Sequence, residues 1–195
     1  MKNIILSAMA TASLLASPSV MASEAYITAT GGLPYSFTGT FDVFKGINIV
    51  GCNVVLTVTG PDGTGDGKHA ATPPRASHVD IASIGSSNVT LSFSGGTPAA
   101  CAAGVQYVGF SSVSYTPTAY NNGVLTFHNL NLNTPLTPNG CYGDLPLTWD
   151  GVKLSASGTL PDRANPGVGP DCHFTGDLYA DDTSTLFSVS GDFDH

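Results

Sequence analysis

Glycine and proline interrupt this chain so often that long helices have nowhere to form. Between Gly31 and Gly176 the longest stretch free of both is residues 124–134, and the 195 residues include 23 glycines and 13 prolines. Each costs a helix interior roughly 1 and 3 kcal/mol respectively, so extended strands joined by turns are the regular structure left. Runs rich in Val, Ile, Thr, Tyr and Phe and bounded by Gly, Pro, Asn or Asp occupy residues 26–30, 36–44, 47–59, 79–84, 89–94, 105–115, 124–132, 145–154, 172–179 and 185–190. That is the composition of strands and their turns. Apolar and polar residues alternate through 54–59, 89–94 and 125–132, which gives each of these strands one buried and one solvated face. The expectation is an all-β protein, an antiparallel β-sandwich of immunoglobulin-like or jelly-roll type. An eight-stranded outer-membrane barrel would also suit the alternation. One Trp and seven Tyr are few for two aromatic girdles, the chain ends in Phe193-Asp194-His195, and four cysteines are spread along it. The soluble sandwich is the better fit.

The first 22 residues read as an address. Lys2 supplies a positive start, residues 4–16 are apolar but too short to span a bilayer, and Val20-Met21-Ala22 offers a small-residue exit. A cleaved secretory signal at 1–22 leaves a single domain over 23–195, with no internal repeat and no linker long enough to divide it. No later stretch reaches membrane-spanning length, so the expected location is the periplasm or the cell exterior. In such an oxidising compartment the even set Cys52, Cys101, Cys141 and Cys172 reads as two disulfides. Three pairings are open. Cys52 with Cys101 and Cys141 with Cys172 is the expected one, because each bond would staple neighbouring blocks of strands. Zinc sites bring cysteines in close pairs, and no two here are close.

Charge removes further classes. Charged residues make up 10% of the chain against about 25% in ordinary soluble domains, and the formal net charge is −8. No Lys or Arg cluster offers the footprint that nucleic acid or anionic lipid requires. With 42% hydrophobic residues there is still enough to build a sizeable core.

Catalytic signatures are scarce. Residues 62–67 begin like a calcium loop, but the twelfth place, which should be a bidentate Glu, is Pro73. Histidines 69, 78, 128, 173 and 195 form no zinc-binding spacing, and Ser92, Ser94, Ser111 and Ser112 lack the G-x-S-x-G frame of a nucleophile elbow. The expectation is a non-enzymatic protein without catalytic residues, metal or cofactor, its ligand-binding residues unassigned. Leu147, Trp149 and Val152 read as core packing, which makes Trp149 no ligand platform. The acidic residues Asp177, Asp181, Asp182, Asp192 and Asp194 read as a solvated edge, and residues 161–170 as a turn-rich, mobile loop.

Four blocks in order carry a family resemblance: Gly51-Cys52-Asn53; Phe93-Ser94-Gly95-Gly96-Thr97 followed by Cys101; Asn139-Gly140-Cys141-Tyr142-Gly143 ahead of Leu147-Thr148-Trp149; and Cys172-His173-Phe174-Thr175-Gly176. Over roughly residues 37–179 the chain resembles the alkane-oxidation activators, the PraB-like proteins of Gram-negative bacteria. The resemblance implies a secreted or periplasmic accessory protein associated with growth on alkanes and with the extracellular matrix, and it carries over no active site. The expected partners are apolar substrates, cell-surface components, or other copies of the chain through strand edges, which so few charges leave poorly protected. A fimbria-like structural subunit, with residues 26–30 as a donated strand, is the alternative; an extracellular hydrolase would need clustered His and Asp.

Overall fold

A computed structural model describes residues 25–28, 34–60, 78–97, 101–119, 121–135, 139–180 and 188–191. Residues 1–22, expected to be a signal, the calcium-like residues 62–67 and the acidic residues 181, 182, 192 and 194 lie outside them. Twelve strands are described: β1 (Ala25–Thr28), β2 (Tyr35–Lys45), β3 (Ile47–Val58), β4 (His78–Asp80), β5 (Val89–Thr97), β6 (Gln106–Gly109), β7 (Ser112–Ala119), β8 (Asn122–Asn133), β9 (Cys141–Trp149), β10 (Lys153–Leu160), β11 (Cys172–Ala180) and β12 (Ser188–Gly191).

The all-β antiparallel expectation holds, but the strands do not divide into two facing sheets. One hydrogen-bonded path runs β5-β3-β2-β11-β10-β9-β8, and the far edge of β8 is shared by β6 and β7. The two ends of the path, β5 and β6, lie side by side without laddering, so the sheet is nearly closed into a barrel. Alternation identifies a strand's apolar face; it does not say whether that face meets a second sheet or its own far side. A small sheet, β12-β1-β4, places β12 beside β7 and β8. Here β1 is paired on both edges within its own chain.

Inward alternation fills the barrel. Val54, Leu56 and Val58 of β3 are buried while Val55 and Thr57 are only partly so, and Leu125, Phe127, Leu130 and Leu132 of β8 face them across the core. Trp149 is 1% exposed, packs edge-on against Phe37 with ring centroids 6.5 Å apart, and donates its Nε1–H to Asn121 Oδ1 at 3.1 Å. It is a core residue with its polar edge satisfied. Curvature has an identifiable source at Gly39 and Gly176 in the neighbouring strands β2 and β11. A Cβ at Gly39 would lie 1.9 Å from the Asp177 carbonyl oxygen, and one at Gly176 would lie 2.1 Å from the Thr40 oxygen. Glycine at such positions lets a sheet bend toward closure.

The disulfides join Cys52 to Cys101 and Cys141 to Cys172, with Cα–Cα distances of 5.6 and 6.1 Å. All four sulfurs are therefore engaged, and no cysteine is free for zinc. Cys101 sits in a helical turn (Cys101–Gly104), so its bond ties β3 to the segment entering β6. Tyr107 of β6 donates its hydroxyl to the Ser86 carbonyl, a long bond of 3.4 Å, across the same gap. Burial raises the Tyr107 pKa.

Residues 161–170 are a correction to the sequence reading. Far from being wholly loose, their first part is pinned by a buried ion pair in which Lys45 Nζ meets Asp162 Oδ2 at 2.9 Å, both side chains at most 3% exposed. Lys45 also donates to the carbonyls of Asn139 and Gly140 at 3.0 Å. Asp162 Oδ1 accepts the amides of Ala164 and Asn165 at 2.9 Å. From Arg163 to Val168 the side chains are turned outward, Val168 being 89% exposed.

One buried group lacks a partner: among the described residues nothing bonds the Tyr115 hydroxyl. Tyr115→Phe is expected to leave thermal stability unchanged or raise it by about 1 kcal/mol, because the penalty of an unmade hydrogen bond disappears. A clear drop in the melting temperature would contradict this.

Candidate functional site

Two places on the barrel combine unusual local structure with chemistry. The first is interior. A cavity of about 20 Å³ lies beneath the β5–β6 gap, lined only by apolar surface from residues including Phe41, Leu56, Leu91, Tyr107, Phe127 and Leu147. That is room for about one water molecule.

The second place is on the outer face, where β7, β8 and β9 run side by side. Between Phe127 and Leu130 the register of β8 against β9 shifts, and Asn129 takes a left-handed conformation with φ 55°. Asparagine adopts it more readily than most residues. The bulge is held from both flanks. Ser111 donates its backbone N–H and its hydroxyl to the His128 carbonyl at 2.9 and 3.1 Å, and Asp144 Oδ1 accepts the Asn129 amide at 2.9 Å. Bulges commonly re-aim a side chain, and here the His128 ring is set between two partners. Its Nδ1 is 2.9 Å from Asp144 Oδ2, and its Nε2 is 2.6 Å from Ser114 Oγ. The Asn129 amide first, and then the His128 ring, hold the Asp144 carboxyl below its usual pKa. An ionised Asp144 can only accept, so Nδ1 carries a ring proton, and in the neutral imidazole Nε2 then accepts from the Ser114 hydroxyl. The His128 and Asp144 side chains are 33% and 55% exposed, so the array lies on an open sheet face.

The described histidines of the sequence analysis lie on separate strands. His128 is in this array, His173 lies on β11 where Thr159 Oγ1 is 3.0 Å from its Nδ1, and His78 belongs to β4. Residues 69 and 195 fall outside the described set. Asp177 is not a bare acidic edge: Lys153 and Ser155 donate to its two oxygens at 2.8 and 2.6 Å, and the Lys153 ammonium lowers its pKa most. Among the described residues no three His, Cys, Asp or Glu side chains are placed to hold a metal ion, and no helix is long and apolar enough to cross a membrane.

Ser114 and Asp144 were not among the residues the sequence singled out. They lie 14 and 16 positions from His128, and only strand register brings them to it. Comparisons with protein-family models, curated proteins and solved structures return no match.

Proposed function

We propose that this chain is a secreted, non-enzymatic accessory protein that acts at the cell surface or a hydrocarbon–water interface and in the extracellular matrix, as its resemblance to the alkane-oxidation activators implies. The observation that carries the reading is the hairpin joining β2 to β3, where Phe44, Ile47 and Val50 are 43%, 39% and 41% exposed. Elsewhere the surface offers hydroxyls, as at Thr40 of β2 and Ser92 and Ser94 of β5, together with further exposed apolar side chains at Val108, Val152, Val168 and Tyr179. A weakly charged body with an apolar tip is suited to adsorb tip-first on an oil phase. The 20 Å³ cavity favours surface contact over uptake of a chain into the barrel.

The test is a variant carrying Phe44→Ser, Ile47→Ser and Val50→Ser together, compared with the parent in hexadecane–water partitioning. Adsorption is expected to fall at least about tenfold, since roughly 1.5–3 kcal/mol per fully buried apolar side chain is available at most, with the melting temperature little changed. Equal partitioning of variant and parent would remove the tip from the account. A fimbria-like subunit is the competing role. It would require β1, paired on both edges here, to leave its own chain.

A further inference from the structure

The Ser114–His128–Asp144 array is more than a row of polar side chains: its atoms are ordered as a nucleophile, a base and the group that orients the base. We infer that Ser114 is a histidine-activated hydroxyl that takes an acyl group from activated carboxylic esters, a modification site on the outer face of the barrel. This reading is independent of adsorption at the apolar tip.

Three features of the geometry carry it. A hydroxyl 2.6 Å from an imidazole nitrogen is within proton-transfer distance of its base. The opposite ring nitrogen is engaged by a carboxylate at 2.9 Å, which fixes both the tautomer and the ring plane. The carboxylate is itself fixed, because its second oxygen accepts the Asn129 amide. That amide is presented by a residue in a left-handed conformation, a local cost that a plain cross-strand ladder would not need. The Asn129 side chain adds to the frame by donating Nδ2–H to Ser111 Oγ at 2.9 Å.

The step balances without any oxidant or cofactor. Ser114 Oγ attacks the ester carbonyl carbon, and its proton passes to His128 Nε2. The new Oγ–acyl bond forms as the bond from the carbonyl carbon to the leaving oxygen breaks. The leaving group departs as an alcohol or phenol with the proton from Nε2, or as a phenolate, in which case the proton goes to solvent. Because the array lies on an open face, the inference is confined to esters whose leaving group needs little help. It extends to stoichiometric acylation and not to a turnover cycle.

The experiment uses the disulfide-bonded mature chain and p-nitrophenyl acetate, with peptide mass mapping of acetylated serines and release of p-nitrophenolate followed in time. The expected result is one acetyl group, on Ser114, formed at least about tenfold faster than on any other serine. His128→Gln should remove that preference with the melting temperature unchanged. Asp144→Asn should slow labelling through the ring tautomer, and Asp144→Glu should restore part of it, which marks Asp144 as a positioning residue. Uniform, slow labelling of many serines would overturn the inference. So would Ser114 labelling that is indifferent to His128→Gln in a folded variant. If His128→Gln fails to fold, Ser114→Thr in an otherwise native chain takes its place: labelling at position 114 should persist at a reduced rate, and its complete insensitivity to the added methyl, or no label at all on either chain, would count against an activated hydroxyl.

Discussion

Removing the Cys52–Cys101 disulfide by paired Cys52→Ala and Cys101→Ala substitution is expected to cost about 4 kcal/mol of stability. The bond closes a loop with a sequence separation of 49, and the chain-entropy relation gives that magnitude for a loop of this size. For a chain of this length it corresponds to a fall of roughly 8–16 °C in melting temperature. The bond between Cys141 and Cys172, with a separation of 31, should be worth nearly as much. The two variants should nevertheless differ in a second measurement. Cys52–Cys101 ties β3 to the segment entering β6, so its loss leaves the long Tyr107–Ser86 hydrogen bond to hold β6 across the β5–β6 gap, with β6 otherwise held by its short ladder to β8. Binding of an apolar dye to the folded protein should rise in that variant and stay low in the Cys141/Cys172 variant. Melting temperatures within about 2 °C of the parent, or equal dye binding by both variants, would contradict the role given to this bond.

The second large effect is at Lys45. Its ammonium has three acceptors, Asp162 Oδ2 and the carbonyls of Asn139 and Gly140. Lys45→Met therefore leaves the buried Asp162 carboxylate without its cation, while the Asn139 and Gly140 carbonyls keep the Thr134 hydroxyl and the Arg163 amide. The expected fall in melting temperature is on the order of 10 °C, read by thermal unfolding at neutral pH. Most of that cost comes from leaving one charge behind, so adding Asp162→Asn should recover part of it. The pH dependence has a definite sign. The Lys45 hydrogen bond first, and then the Asn165 amide, lower the Asp162 pKa from 3.8. A carboxylate depressed in the folded state contributes stability that is fully present above its unfolded value and is lost as the pH falls through the folded one. Asp177 and Asp144 are depressed as well. Stability should therefore be flat near neutrality and fall below about pH 4, with a shallower fall in Asp162→Asn. A fall that begins above pH 6 would point to other groups.

How far the sequence reaches can be followed at single residues. The alternation at 54–59 reports which side chains go inside, because burial on one face of a strand leaves a period of two: Val54, Leu56 and Val58 are the buried ones. Leu147 and Trp149 are legible as core for the same reason, but Val152, read with them, is 65% exposed because it lies in the turn after β9 and not on a strand. The run 105–115 reads as one strand but is two, β6 and β7, broken at Phe110 and Ser111. Both pair with β8, one on each side of its bulge, and nothing local to 105–115 encodes the bulge. The run 145–154 conceals a turn that was locally encoded. Asp150 Oδ1 accepts the amides of Val152 and Lys153 at 3.0 Å, and Gly151 has φ 90°, the behaviour an Asp-Gly pair favours between strands. The Lys45–Asp162 pair and the Ser114–His128–Asp144 array were out of reach, since each joins separate elements through register or closure. Barrel against sandwich was likewise undecidable from alternation, which is identical for both.

Action at an apolar interface, as proposed, and the building of fibres make opposite demands on the folded chain in solution. Size-exclusion chromatography with light scattering on the disulfide-bonded chain, with and without emulsified long-chain alkane, separates them. The expected result is a monomer in buffer that leaves solution for the alkane phase when it is added. Large assemblies that form spontaneously and ignore the alkane would contradict it and move the role to a structural component of the matrix.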